Sequence, residues 1–344
     1  MLMKRKLLQS LRFKPFNSIS IHDREKPSII SKEFLASYSD SSFQEGVDIR
    51  NGQKRGHYFA ERNVYRLKNV VLEPRQGILY SEFGNLIAES TTWNPLHQYL
   101  SFPWNFKKVS KFLKLDEAII LSSNPYGHWL LEDLPTTIVA MNFSPNATIL
   151  VSRKHPKYVK DFLATTNRNI LYLDGPTKVS SVILVEKSDD SGWMPKADLD
   201  SLLNYPPFAE AMNVKMDKQV RVYATRKGLK RSPLNEGEIE NLFLKFGFQV
   251  HNLATMNLLE EITLLANCEI LAGLHGSSFG NKIWMKDNSI NLEITNENYW
   301  TEYDLDLKYL GLKIRRQVCT YSGEPDDAVP LDDLELKLKT LYPN

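Results

Sequence analysis

A histidine and two carboxylates lie close together in the first half of the chain, in the segment YGHWLLED at positions 126–133. Histidine is the usual general base near neutral pH. His128 and Glu132 are four residues apart, so on a helix they share one face, and Asp133 follows directly. The segment therefore predicts a site of proton transfer, with His128 as the first candidate for the base and Glu132 as the second.

A turn rich in glycine and serine follows a predicted strand in the second half, with the sequence LHGSSFGN at positions 274–281. Such a turn, leading into a helix, presents backbone N–H groups and the positive end of the helix dipole. Ser277 and Ser278 add hydroxyl donors, and His275 adds a ring donor. Phosphate is the ligand that suits these groups. The alternative is that the glycines only allow a tight turn.

Another strand is predicted at positions 219–224, and a basic loop follows it. The loop carries four cations, which are Arg226, Lys227, Lys230 and Arg231. Ligands bind beyond the carboxyl ends of strands in open α/β sheets, so Arg226 and Arg231 are expected to chelate the phosphates held by the turn at 274–281. Glu293, at the expected end of a strand over 291–294, is predicted to accept ribose hydroxyls. A solvated loop and a surface carboxylate are the alternatives.

Composition narrows the classes of protein to be considered. The chain has 344 residues and a formal net charge of +2, which favours two domains and gives no sign of nucleic-acid binding. Cys268 and Cys319 are too few for a disulfide framework or a cysteine-rich zinc site. Asp304 and Asp306 form an Asp-x-Asp pair, but no third ligand has metal-type spacing. We predict no metal.

No signal peptide or membrane span is visible in the sequence, which predicts a cytoplasmic protein. Five cations between positions 4 and 14 are interleaved with leucine and phenylalanine. They would allow peripheral contact with an anionic membrane surface. A solvated, poorly ordered N-terminus is the alternative that we favour.

The pattern of apolar runs places these motifs on an α/β architecture. A β-meander is expected over 63–87, and strands that alternate with helices over 117–185 predict a parallel sheet. Pro135 is expected to kink or restart a helix. The run from 219 to 294 is typical of half a Rossmann-like sheet, with Asn235 and Asn257 as helix N-caps and Glu238 completing a capping box after Asn235. The predicted divisions are an irregular or uncertain segment (1–60), an acceptor-side α/β domain (61–210), a nucleotide-sugar domain (211–322), and a C-terminal helix that packs back on the N-terminal domain (323–344).

Three blocks, in this order, resemble glycosyltransferase family 61, long called DUF563. The first block is YGHWLLEDLP from Tyr126, with Gly127 added before the histidine. The second block is VYATR, followed by Arg231 and Asn235-Glu236, with Thr225 in place of the usual serine. The third block is HGSSFGN from His275, in which two serines replace Ala-Gly and crowd the approach of a phosphate.

The resemblance implies a GT-B fold, in which two Rossmann-like domains face each other across a cleft. It also implies a nucleoside-diphosphate sugar as donor, an inverting and metal-independent hexosyl or pentosyl transfer without a cofactor, and a glycan acceptor in capsule or surface polysaccharide synthesis. The expected donor-diphosphate contacts are Thr225, Arg226, Arg231, His275, Gly276, Ser277, Ser278 and Asn281. Tyr126 and Trp129 are expected at the acceptor, Glu293 at the ribose or base, and His128, Glu132 and Asp133 at the reacting groups.

A different class of function stays open beside the transferase. A non-catalytic nucleotide- or glycan-binding scaffold on the same fold would keep the phosphate turn and lose the base. A Rossmann dehydrogenase is disfavoured, because no G-x-G-x-x-G segment opens a βαβ unit. The oligomeric state is not predicted.

Overall fold

The computed structural model of the protein describes residues 18–19, 30–48, 54–91, 109, 111–187, 194–296, 305–307, 314–322, 324 and 326–341. The cationic stretch over 4–14 and Asp304 lie outside these residues, and the side chain of Asp306 is not described. Within the described ranges, no helix combines the length and the apolar character needed to cross a membrane. The same ranges hold no group of three or more side chains suited to bind a metal ion.

The described residues form eighteen strands and eight α-helices. The strands are β1 (Ser18–Ile19), β2 (Ser31–Ser39), β3 (Ser42–Asp48), β4 (Lys54–Phe59), β5 (Arg62–Glu73), β6 (Ile78–Tyr80), β7 (Leu86–Ile87), β8 (Phe112–Leu113), β9 (Ala118–Leu121), β10 (Thr148–Ser152), β11 (Ile170–Leu173), β12 (Thr177–Val185), β13 (Val220–Ala224), β14 (Gln249–His251), β15 (Cys268–Leu274), β16 (Ile290–Asn296), β17 (Leu305–Leu307) and β18 (Ile314–Tyr321). The helices are α1 (Tyr126–His128), α2 (Leu134–Phe143), α3 (Lys157–Leu163), α4 (Lys196–Leu203), α5 (Pro206–Asn213), α6 (Glu236–Lys245), α7 (Leu258–Ala266) and α8 (Leu331–Leu341).

The first half combines a small parallel sheet with a larger mixed one. Strands β9, β10 and β11 are parallel, as predicted, in the order β11-β10-β9. The meander β5-β6-β7 is also confirmed, since both of its pairings are antiparallel. The prediction of a parallel sheet over 117–185 is wrong for β12, which pairs antiparallel with β5 and so belongs to the mixed sheet. Side chains alternate along β10: Leu150 packs toward the mixed sheet, and Ile149 and Val151 pack toward the helices.

The prediction that residues 1–60 are irregular is wrong for the described residues 31–59. Strand β2 pairs antiparallel with β5, and β3 pairs antiparallel with β4 and β17. The residues of β2 are exposed or half-buried throughout. A strand that buries no continuous face carries little apolar alternation, which is the signal that sequence analysis uses.

Helix α1, a π-helical turn at Trp129–Asp133 and helix α2 follow one another without a break. Pro135 is near the start of α2, directly after the wide turn. Proline lacks an N–H and clashes with the carbonyl four residues before it, and a wider turn relieves both problems. Pro135 was expected to kink or restart the helix, and the structure instead changes from π to α geometry just before it, within a continuous helical run. The wide turn carries Glu132 and Asp133.

The second half is a five-stranded parallel sheet in the order β14-β13-β15-β16-β18. Helices α6 and α8 cover one face, and α7 lies on the other. The strand order reverses between β13 and β15, and such a switch point opens a crevice at the carboxyl ends of the two strands. Strand β18 was not predicted. The predicted helix over 331–341 is confirmed, but it packs on α6 and β18 and not on the N-terminal domain.

The start of α6 differs in detail from the predicted N-cap. Asn235 stands at the N-cap position but makes no side-chain cap bond. Its amide instead donates to the carbonyl of Val329 (2.8 Å) and accepts from the Val329 N–H (2.9 Å), which ties α6 to the segment before α8. Asn257 does cap α7, by accepting from the Leu259 N–H.

The two halves share one hydrophobic core. A single cluster of buried side chains runs from Trp129 and Phe162 in the first half to Leu258, Phe279 and Trp284 in the second. The mixed α/β class is confirmed. The two-domain GT-B arrangement stays a prediction.

Candidate active site

The basic loop and the glycine-serine turn begin side by side at the switch point. Ala224, the last residue of β13, is paired in register with Gly273 of β15. A cavity of about 380 Å³ opens beyond these strand ends, with α3 from the first half as part of its wall. Its polar and charged lining consists of Tyr126, Lys157, Tyr158, Asp161, Thr225, Arg226, Lys230, Arg231, Glu261, Ser277, Ser278 and Asn281.

The guanidinium of Arg226 lies directly over Gly276. Its Nη2 donates a hydrogen bond to the carbonyl of His275. Gly276 has a φ of 155°, and a Cβ added there would lie 2.0 Å from Arg226 Nη2 and 3.9 Å from Arg231 Nη2. A Cβ at position 276 would therefore displace the Arg226 guanidinium from this place, whereas its distance from Arg231 is that of an ordinary van der Waals contact.

Left-handed backbone conformations direct the basic loop toward the cavity. Gly228 has a φ of 77° and Arg231 a φ of 60°. A non-glycine residue in this region carries a backbone cost on the order of 1 kcal/mol, and such residues cluster at functional sites. The chain changes direction at these two residues, so that Arg231 lines the same cavity as Arg226 at the start of the loop.

Glu236 holds the start of the loop in place. Its buried Oε1 accepts hydrogen bonds from Tyr223 Oη (3.1 Å), Thr225 Oγ1 (2.8 Å) and the Arg226 N–H (2.7 Å). Three donors on one carboxylate oxygen fix the direction in which Arg226 leaves β13. Sequence analysis placed Glu236 in the second block without a role, and here it is a positioning residue.

His275 and Glu293 form a buried pair beneath the turn. His275 Nδ1 is hydrogen-bonded to Glu293 Oε1, and both side chains are almost fully buried. Glu293 lies inside β16 and not at its end, which corrects the prediction. Neither side chain lines the cavity. Glu293 therefore orients the imidazole and is not placed to meet a ribose, and His275 contributes its backbone carbonyl to Arg226.

Tyr126, Asn281 and Glu261 join the two halves at the floor of the cavity. Tyr126 Oη donates to Asn281 Oδ1 (2.7 Å), and Asn281 Nδ2 donates to Glu261 Oε1 (2.6 Å). Burial raises the pKa of Glu261 to about 8. The first and third blocks are therefore in direct contact. Sequence analysis missed Glu261, whose only visible signal was an acidic residue in the first turn of a helix.

His128 and Glu132 form the predicted pair on one helical face. His128 Nδ1 lies 2.8 Å from Glu132 Oε1, and Glu132 is buried. Burial lowers the pKa of His128, but the hydrogen bond and charge of Glu132 outweigh it, so the pKa is raised. Glu132 thus orients the ring, as a third group orients a catalytic base. Neither residue lines the cavity at the switch point.

The other two predicted residues of this block are buried. Asp133 forms an ion pair with Lys187 and accepts hydrogen bonds from Ser122 (2.5 Å) and Asn124 (2.8 Å). Both of its oxygens contact protein groups, so the catalytic role predicted for it has no support. Trp129 is fully buried and packs among aromatic rings, which contradicts its predicted stacking on a sugar.

Comparison with known families bears on this site directly. The family model described as Glycosyltransferase 61 matches residues 126–291, just under half of the chain. This match supports placing the protein in glycosyltransferase family 61. No curated protein matches the chain.

The family 61 match starts at the tyrosine of the first block and includes all three blocks. It contains His128, Arg226 and His275, and it ends shortly before Glu293. The coarser prediction, a glycosyltransferase, is therefore supported. The match identifies neither the donor nor the acceptor, and it gives neither the stereochemical course of the reaction nor a role in bacterial capsule synthesis.

Gly276→Ala is expected to weaken the binding of a nucleoside diphosphate by about ten- to a hundred-fold, the range set by one hydrogen bond to a charged group. The new methyl group would displace Arg226 Nη2 from above the turn. Gly280→Ala is the matched control, because a Cβ there meets nothing closer than 3.7 Å. Calorimetric titration measures both affinities. An unchanged affinity in Gly276→Ala, or an equal loss in Gly280→Ala, would contradict this role for Gly276.

Glu261→Gln is expected to stabilise the fold increasingly as the pH rises from 5 to 8. The folded pKa is about 8 and the unfolded value about 4.3. Between these values the folded state binds more protons, so wild-type stability falls with rising pH by up to a few kcal/mol. Glutamine does not titrate, so the Glu261→Gln variant lacks this dependence of stability on pH. Urea unfolding across pH tests it, with exposed Glu260→Gln as control. Parallel curves for wild type and Glu261→Gln would contradict the assignment.

Proposed function

We propose that the protein transfers a sugar from a nucleoside-diphosphate sugar to a glycan acceptor, with inversion and without a metal ion. The cationic lining of the cavity at the switch point carries the proposal. Four cations line the cavity, namely Lys157, Arg226, Lys230 and Arg231. Of the two lining acids, Asp161 is paired with Lys157, and burial raises the pKa of Glu261 so that it is mostly protonated at neutral pH. The net positive charge suits a diphosphate.

The departing diphosphate is the group that these cations would stabilise. As the bond from the anomeric carbon to the phosphate oxygen breaks, negative charge grows on that oxygen. Arg226 and Arg231 would meet the charge from one side, and the N–H groups of Ser277 and Ser278, at the start of a 3₁₀ helix, from the other. Preorganised donors of this kind contribute a few kcal/mol each to transition-state stabilisation.

The acceptor hydroxyl needs a base on the opposite face of the sugar. We assign this role to His128, oriented by Glu132, in its neutral form with the proton on one ring nitrogen. Direct attack by the hydroxyl inverts the anomeric carbon in one displacement. A capsule or surface polysaccharide as acceptor, and a reaction in the cytoplasm, stay predictions from the resemblance.

A non-catalytic nucleotide- or glycan-binding scaffold is the second candidate function. One observation favours it: His128 and Glu132 do not line the cavity that would hold the diphosphate. On this alternative the protein would bind a nucleotide sugar and leave it intact. The two candidates share the binding step and differ in turnover.

Nucleotide sugars screened by thermal shift in EDTA are expected to yield one donor that raises the melting temperature, because a ligand bound to the native state alone stabilises it. With this donor and a glycan mixture we expect release of nucleoside diphosphate and a product of inverted anomeric configuration, read by NMR. Activity lost in EDTA and restored by Mn²⁺ would contradict the metal-independent mechanism and direct attention to Asp304 and Asp306. Stabilisation without any turnover would favour the scaffold.

A further inference from the structure

A second depression, of about 700 Å³, adjoins the cavity on its first-half side. We call it the upper groove. It is formed by the β5–β6 turn, the loop after β9 and the loop after β10, with the lining residues Glu73, Arg75, Gln76, Ser123, Asn124, Pro125, Lys154, His155, Pro156 and Tyr158. Pro156 and Tyr158 line both depressions. The upper groove thus lies at the carboxyl ends of parallel strands, where α/β sheets bind ligands.

The upper groove carries a positive charge balance. Arg75 and Lys154 are exposed, and neither forms an ion pair with another residue of the described ranges. Glu73, the one carboxylate in the described lining, accepts hydrogen bonds from the backbone N–H groups of Gln76 (2.8 Å) and Arg75 (3.2 Å). Burial raises the pKa of Glu73 and the charge of Arg75 opposes that rise, so this one carboxylate offsets part of the positive charge of the two cations.

His155 has a fixed ring in this groove. Its Nδ1 donates to the carbonyl of Ser152 (2.9 Å), because a carbonyl oxygen can only accept. The ring stacks on Tyr172 with centroids 5.5 Å apart. With Nδ1 committed to the loop, Nε2 is the ring atom left to contact a ligand in the groove.

We propose that the upper groove binds the part of the glycan acceptor that lies away from the reacting hydroxyl, since His128 does not line it, and that it selects an acceptor carrying an anionic group. This proposal rests on the proposed function, since an acceptor must reach the anomeric carbon across the shared Tyr158. The charges of Arg75 and Lys154 meet the anionic group. The polar side chains of Gln76 and Asn124 meet sugar hydroxyls. A carboxylate or a phosphate would supply the same charge.

Binding of oligosaccharides of different charge tests the proposal. Calorimetry compares a hyaluronan hexasaccharide, which carries carboxylates, a 6-phosphorylated mannose oligosaccharide, and neutral chitohexaose. We expect at least one anionic probe to bind several-fold more tightly than chitohexaose, and the stronger of the two identifies the source of the charge. In the double variant Arg75→Gln/Lys154→Gln that probe should bind about three- to ten-fold more weakly, as for loss of two exposed charges, with chitohexaose unaffected.

Arg153→Gln is the matched control. Arg153 is the neighbouring exposed cation, it pairs with Asp174 (2.6 Å), and it does not line the upper groove. Equal affinities for the three probes in the wild type, or an unchanged preference in the double variant, would overturn the proposal. Nucleoside-diphosphate affinity is measured on the same samples. If it is normal while the preference is absent, only the acceptor proposal fails, and if it is absent in the wild type, the proposed function itself fails.

Discussion

Replacing Arg226 by glutamine is expected to slow sugar transfer by about a hundred- to a thousand-fold, the range for one lost donor to a developing negative charge. Arg226 reaches the start of the turn over Gly276, where it would contact the diphosphate both before and during its departure. The affinity for nucleoside diphosphate should fall as well. Calorimetric affinity and the steady-state rate, measured on the same preparation, check the two effects together.

Lys227→Gln is the control for this variant. Lys227 is the next residue, it is exposed, and it pairs with Glu240 (3.2 Å) outside the cavity lining. It should change neither affinity nor rate by more than about two-fold, the usual effect of one exposed charge. A similar loss in both variants would mean that the loop acts through its overall charge and not through the position of Arg226.

Replacing His128 by alanine is expected to lower kcat by about a hundred- to ten-thousand-fold, the usual cost of losing a general base. The affinity for nucleoside diphosphate should stay nearly unchanged, because His128 does not line the cavity. A lower kcat with an unchanged affinity is the mark of an interaction made mainly in the transition state. Steady-state kinetics beside calorimetry measures it.

Glu132→Gln separates the two candidates for the base. If His128 is the base, the neutral ring is the active form, and kcat rises with pH through the raised pKa of His128. Removing the charge of Glu132 should then move this rise to lower pH and leave substantial activity. An inactive Glu132→Gln beside an active His128→Ala would show that Glu132 is the base. Activity in both variants would place the base outside this pair.

Much of the site's location was predictable from local sequence. Two strands, each followed by a polar or glycine-rich loop, were identified from apolar runs, and parallel strands bring such loops to one edge. Arg226 and Ser277 therefore line the same cavity, as predicted. Strand β18, at the edge of the sheet beside β16, was not predicted, because it carries Arg315 and Arg316 within its run and gave no strand signal.

The roles of single side chains were harder to predict, because they depend on contacts between distant residues. Tyr126 meets Asn281 across 155 positions, and the pairing of His275 with Glu293 depends on how β15 and β16 align. The burial of Trp129 follows from its packing against Tyr158 and Phe162 of α3. Sequence analysis identified the residue types that can do chemistry, but it could not tell a ligand contact from a buried partner.

The central claim is that the donor diphosphate binds at the switch point between β13 and β15. A crystal structure with bound nucleoside diphosphate tests this most directly. We predict the two phosphates within hydrogen-bonding distance of the Arg226 and Arg231 guanidinium groups and of the N–H groups at Ser277 and Ser278. A diphosphate bound elsewhere, with Arg226 still donating to the carbonyl of His275, would contradict the account.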